Sequence, residues 1–150
     1  LLGMTSFDVF SINGYGLTIR HDQIAQIVKQ VDRPVMIGEW HFGALDVGLP
    51  GSGIGHVPTQ ADRGKAYRCY LEDAAADPNC VGVHWFTLYD QSAMGRPDGE
   101  PYNIGFLDVC HRLYEPLAAA ARASHEAMYD VRQGKTEPYA ETPEHLPWLF

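Results

Sequence analysis

The stretch Arg33-Pro34-Val35-Met36-Ile37-Gly38-Glu39-Trp40-His41-Phe42-Gly43-Ala44-Leu45-Asp46 decides how the rest of the chain reads. Pro34 stops whatever helix precedes it, because a residue before proline is pushed out of the helical region. Val35 to Gly38 is a short apolar run with the character of a buried strand. The run ends abruptly on Glu39, and an aromatic segment and a glycine-containing loop follow. A carboxylate at the exit of a buried strand is costly unless it is paired, hydrogen-bonded or used. Glu39 is the first candidate for chemistry.

Upstream, residues 7 to 12 are β-prone and end at the turn signal Asn13-Gly14-Tyr15-Gly16. An amphipathic helix follows, from about Thr18 or Asp22 to Val31. Its stripe is Ile24, Ile27, Val28 and Val31, at the i, i+3, i+4, i+7 spacing of one helix face. Downstream, a long loop spans His41 to Pro58, and loops of that length are functional or disordered. Thr59 and Asp62 form a capping-box pattern that starts a second helix. Its stripe is Tyr67, Tyr70, Leu71 and Ala74, and Asp77-Pro78-Asn79 ends it. Residues 80 to 86 read as a third strand, and Asp90 to Asn103 as a second shaped loop. Pro116 opens a third, Ala-rich helix that stops near Gly134. Residues 135–150 read as a loosely docked tail, apart from a domain formed by residues 1–134.

The alternation β, α, β, α, β, α predicts parallel strands with helical crossovers. Long strand-to-helix loops and short helix-to-strand loops fit one end of a (β/α)8 barrel better than part of an open doubly wound sheet. No GxGxxG or P-loop follows any strand, which removes the main nucleotide-binding readings.

Composition narrows the function classes. The 150 residues, 45% hydrophobic, suffice for one ordinary core and not for two large domains. A net charge of -8 argues against nucleic-acid and anionic-membrane partners, which need basic faces. No apolar run reaches the length of a membrane span. Cys69, Cys80 and Cys110 are odd in number and lack CxxC spacing, so they read as free buried thiols or one disulfide rather than a zinc ribbon. The opening Leu1-Leu2-Gly3, without Met, reads as the start of a segment cut from a longer chain.

In a parallel α/β fold, sites gather at the carboxyl ends of strands. Those ends supply Ser11, Asn13 and Tyr15; then Glu39, Trp40 and His41; then Trp85, Tyr89, Asp90 and Gln91. A carboxylate among amides, hydroxyls and aromatic faces suits a carbohydrate, which offers flat apolar faces and many hydroxyls. Bland readings stand beside this one. Glu39 could pair with Arg33, Arg63 or Arg96, and Trp40 and Trp85 could be core. His41, His56, His84 and Asp46 could hold a metal, but they lack the tight spacings of common metal motifs, so no metal or other cofactor is expected. His84, inside a strand, reads as a core or supporting histidine.

The stretches Glu39 to Asp46, Val81 to Phe86, Asp90-Gln91 and Gly95 to Asp108 together resemble the end of a β-agarase-like glycoside hydrolase of family 50, within the retaining (β/α)8 clan A. The likeness covers roughly residues 5 to 130. It implies that this chain carries the last three βα units, strands six to eight, of a (β/α)8 TIM barrel. It also implies cleavage of a polysaccharide or oligosaccharide, agarose-like and β-galactosidic. Glu39 falls where the clan places its nucleophile, and Trp85 where a tryptophan floors the sugar site. Tyr15 falls where a residue often hydrogen-bonds the nucleophile. Asn13, His41, Asp90, Gln91 and Asn103 fall at further substrate contacts, and in a glycosidase Trp40 is expected to stack with Trp85 against sugar rings.

The sequence departs from that pattern at Trp40 (Phe is usual), Thr87 (Gln), Ala93 (Pro) and Pro101 (Asn), positions that bear on sugar specificity. The clan's acid/base glutamate follows the fourth strand, which has no counterpart before Phe7. The partners expected are therefore a carbohydrate substrate and the N-terminal barrel strands of a parent chain. Three of eight strands leave two unpaired edges, so the piece alone is expected to be inactive. The alternative reading is a non-catalytic carbohydrate-binding barrel.

Overall fold

The computed structural model describes residue 3 and residues 6–144. Strand β1 (Phe10–Asn13) leads to helix α1 (His21–Val31) and strand β2 (Val35–Trp40). Two short strands follow, β3 (Gly43–Ala44) and β4 (His56–Val57), then α2 (Gln60–Ala76), β5 (Cys80–Trp85) and α3 (Glu115–Arg132). β1, β2 and β5 form one parallel sheet with β2 in the centre, and β3 and β4 form a separate parallel pair. The chain is a mixed α/β domain with parallel strands.

Local chemistry accounts for the element boundaries. In α1, Ile24 is fully buried, and Ile27 and Val28 pack against the core as their spacing requires. Asp32 then adopts a left-handed conformation (φ 51°) and returns its amide to the Val28 carbonyl, which ends the helix before Pro34 opens β2. The Thr59 hydroxyl accepts from the Asp62 amide at 3.1 Å and donates to the Asp62 carboxylate at 2.7 Å, so the predicted cap forms. Pro116 lies in the first turn of α3, where its missing N–H costs nothing.

α2 is the centre of the domain. Tyr67, Tyr70, Leu71 and Ala74 are buried as predicted, and Arg63 and Glu72 are buried as well. α3 packs against α2 so closely that a Cβ on Gly64 would sit 2.8 Å from the Pro116 carbonyl oxygen. At the far end of α3, Arg132 donates to the Asp77, Pro78 and Cys80 carbonyls, gathering backbone acceptors where α2 turns into β5.

Several expectations are revised. The loop from His41 to Pro58 is not structureless, because it contains β3 and β4. β2 runs on to Trp40, past the expected end at Gly38. The tail is tied down where it is described: the Tyr139 amide donates to buried Glu72 at 2.8 Å, and Lys65 pairs with Glu141 at 2.6 Å. Leu146 to Phe150 lie outside the described residues. Cys69 and Cys80 are free and buried, but Cys110 is free and exposed. Among the described residues, His84 is exposed rather than buried.

Candidate active site

β1 and β2 carry Asn13 and Glu39 side by side at their carboxyl ends. Their register breaks there. Ile12 pairs with Ile37 and Asn13 with Glu39, while on the other side Ile37 pairs with Val83 and Trp40 with Trp85. β2 therefore holds one extra residue relative to both neighbours, a bulge at Gly38. A Cβ on Gly38 would fall 2.4 Å from the Ser11 hydroxyl, so a larger residue there would force the Ser11 side chain to move.

The bulge decides the site. Strict alternation from Val35 and Ile37 would turn Glu39 toward the helices and Trp40 away from them. The extra residue reverses this. Trp40 turns inward, 1% exposed, stacked on Tyr70 at 4.1 Å and edge-on to Trp85 at 4.7 Å. Trp40 is thus core, which corrects its expected place against a sugar ring. Glu39 is left half-buried at the strand mouth.

The Tyr15 hydroxyl donates to Glu39 Oε1. Among the described residues, Oε2 has no hydrogen-bond partner, and no ion pair includes Glu39. The pairings with Arg33, Arg63 or Arg96 therefore do not form. Burial, and then the Glu39 carboxylate, hold the Tyr15 phenol far above its ordinary value, so it stays a donor at every physiological pH. Arg96 is exposed and pairs with Asp98 and with Glu100 at 3.2 Å on the rim of the same mouth.

His41 lies edge-on to the Tyr15 ring at 4.9 Å and is 3% exposed. Burial, helped by the Arg63 charge, lowers its pKa to about 3, so the imidazole is neutral. Its Nε2 accepts from the Ile54 amide at 3.1 Å. His41 buttresses Tyr15 and pins the long loop; it does not shuttle protons near neutral pH.

The Trp85 ring is partly buried, and its indole N–H donates to the Ile104 carbonyl at 2.7 Å. Asp90, Gln91 and Asn103, expected on the substrate, are instead committed to the loops. Asp90 accepts from Gly105 N at 2.9 Å and from the Tyr114 hydroxyl at 2.8 Å. Gln91 joins the Tyr102 amide to Glu100, with both bonds at 2.9 Å. Asn103 is fully buried: its Oδ1 accepts from Ala44 N, and its Nδ2 donates to the Ala44, Leu49 and Gly51 carbonyls. Polar side chains in shaped loops must satisfy buried backbone groups before they can meet a ligand. Asn13 remains exposed beside Glu39.

Arg63 is a residue whose place the sequence reading missed. It is fully buried and donates to the Phe42 and Gly105 carbonyls and to Gln60. The available signal was a cation four residues into a helix on the face of the Tyr67 and Tyr70 stripe. Among the described residues, no group of three or more His, Cys, Asp or Glu is placed to hold a metal ion. No helix among them is long and apolar enough to cross a membrane.

No protein-family model matches the chain. β-agarase B of Vibrio sp. (strain JT0107) is 38% identical over 129 residues, covering 85% of this chain and 14% of that protein. The solved structure of PfGH50B is 39% identical and superposes with a TM-score of 0.80, over 86% of this chain and 18% of that one. That of an exo-β-agarase is 37% identical with a TM-score of 0.80, over 87% and 18%. The chain thus spans about a seventh of the length of the curated relative it matches. Through that segment, this chain is a homologue of β-agarases.

Proposed function

We propose that this chain carries the nucleophile half of a retaining glycoside hydrolase that cleaves agarose-like β-galactosidic chains. The observation that carries the reading is the Tyr15–Glu39 pair at the mouth of a parallel sheet, with Oε1 held by a hydroxyl and Oε2 open. In this reading residues 1–134 are the last three βα units of a (β/α)8 barrel, and residues 135–150 a tail. The naming of the relatives as β-agarases supports the substrate class. The open edge of β5, where Val81 is 53% exposed beside a groove of about 570 Å³, supports a sheet that continues in a longer polypeptide.

In the reaction, Glu39 Oε2 attacks the anomeric carbon as the bond to the leaving oxygen breaks. A carboxylic acid outside this segment, about 5 to 5.5 Å from Glu39 in a retaining geometry, protonates that oxygen. The same group then takes a proton from water, whose oxygen attacks the anomeric carbon and frees Glu39. Tyr15 and His41 aim the carboxylate, and the accessible part of the Trp85 ring offers an apolar face to the sugar. No cofactor enters.

In the full-length protein, Glu39→Ala is expected to lower turnover roughly 10⁴-fold or more, as loss of a nucleophile does. Azide should partly restore cleavage of an activated aryl glycoside and leave an inverted glycosyl azide. Near-normal turnover by Glu39→Ala sinks the assignment.

A further inference from the structure

Arg63 is the feature of this chain that the reaction above leaves unexplained. Its guanidinium is fully buried, and among the described residues Asp90 and Asp46 act on it only from beyond ion-pair distance, offsetting part of its charge without a direct contact. Burial lowers its pKa only to about 10, so it is a buried cation. A buried charge without a carboxylate in direct contact is costly to hold. A neutral side chain of similar length would fill the space at lower cost, so the reason for the charge lies in what it touches.

Each nitrogen of the guanidinium donates a hydrogen bond, and two aromatic rings lie close to it. Nε donates to the Phe42 carbonyl at 2.6 Å, and Nη2 to the Gly105 carbonyl at 2.7 Å. Nη1 donates to Gln60 Oε1 at 3.2 Å. The guanidinium carbon lies 5.5 Å from the Trp85 ring centre and 5.2 Å from that of Tyr114. These partners are not scattered. Phe42 is three residues beyond Glu39 on the same strand exit. Gly105 follows Ile104, whose carbonyl receives the Trp85 indole N–H. Tyr114 donates to Asp90, which in turn holds the Gly105 amide. One planar cation therefore joins the backbone leaving Glu39 to both the ring face and the indole anchor of Trp85.

We propose that Arg63 is a positioning residue that sets Glu39 and Trp85 in register with one another, so that a sugar resting on Trp85 presents its anomeric carbon to Glu39. The proposal rests on the assignment of Glu39 as nucleophile. The fork matters as well as the charge: lysine is a point donor and cannot span two carbonyls while presenting a planar group to the Trp85 and Tyr114 rings. A displacement of about 1 Å at the reacting atoms costs on the order of a hundredfold in rate. The loss falls on kcat, because subsites that do not pass through Arg63 continue to hold the rest of the chain.

The test uses the full-length enzyme on agarose oligosaccharides, with Arg63→Lys, Arg63→Met, Gln60→Ala and Glu39→Ala measured in parallel. Turnover is read at a temperature where near-UV circular dichroism shows each variant folded. Both Arg63 variants are expected to lose about a hundredfold in kcat with KM within about threefold of the wild type, and Gln60→Ala to lose less in the same direction. Combining Arg63→Lys with Trp85→Phe should cost less than the sum of the two single changes, because both break one linkage. A folded Arg63→Lys enzyme with wild-type kcat, or with a loss confined to KM, overturns the proposal while leaving Glu39 as nucleophile. Full activity in Glu39→Ala overturns both. If neither Arg63 variant folds, Gln60→Ala decides, and an unchanged kcat there overturns the proposal.

Discussion

Asn103→Ala separates two roles for a residue that the sequence places on the substrate and the structure places inside a loop. The side chain is fully buried and joins residue 103 to Ala44, Leu49 and Gly51. The amide group has two hydrogens for three carbonyls, so it makes about two full donor bonds and accepts one from Ala44 N. Gly51 O keeps a second bond, from the Asn103 backbone N–H at 2.7 Å, and is not orphaned by the change. Three net bonds at about 1 kcal/mol each give a loss of roughly 3 kcal/mol, and partial hydration of the small cavity lowers it only slightly. For a chain of this size that corresponds to a fall in Tm of about 6–12 °C. The assay is urea and thermal unfolding of wild type and variant, with limited proteolysis of the segment between Leu45 and Gly55. The expected outcome is a large stability loss with early cleavage in that segment. A loss below about 1 kcal/mol with an intact segment would show that the buried network does not hold the loop.

Two further outcomes follow from neighbouring parts of the fold. His21 contacts Asp77 at 2.6 Å and Asp73 at 3.1 Å, and the Asp77 hydrogen bond raises its pKa above the ordinary value, against the opposing effect of burial. Its contribution to stability is therefore fully present below about pH 6.5 and fades as pH rises through the folded-state value. Urea midpoints taken from about pH 6 to pH 9 should fall more in the wild type than in His21→Gln, and parallel curves would exclude the linkage. Gly43→Ala would place a Cβ 2.2 Å from the Ser52 carbonyl oxygen and 2.6 Å from its Cα, against backbone on a buried strand. A cost of about 1–3 kcal/mol or more is expected, and an unchanged Tm would mean that the β3 region yields more freely than its packing indicates.

Much of this protein was legible in its residues because the deciding forces are local. The stripes of α1 and α2, the cap at Thr59, the stop at Pro34 and the order of parallel strands each depend on neighbours within a few positions. Glu39 at a strand exit, with Tyr15 after the preceding strand, was legible for the same reason. What the loops and the bulge do was not. A glycine inside a strand signals a bulge, but only pairing with β1 and β5 shows that Gly38 is the extra residue. That single step turns Trp40 into the core and leaves Glu39 at the mouth. Asp90, Gln91 and Asn103 have the chemistry of sugar contacts, yet backbone groups far away in sequence claim their hydrogen-bonding capacity. Arg63 is the extreme case: every partner beyond its own helix lies more than twenty positions away. Periodicity determines which face of an element is apolar. Only the closed chain decides which polar groups are left over for a ligand, because every buried N–H and C=O must be satisfied first.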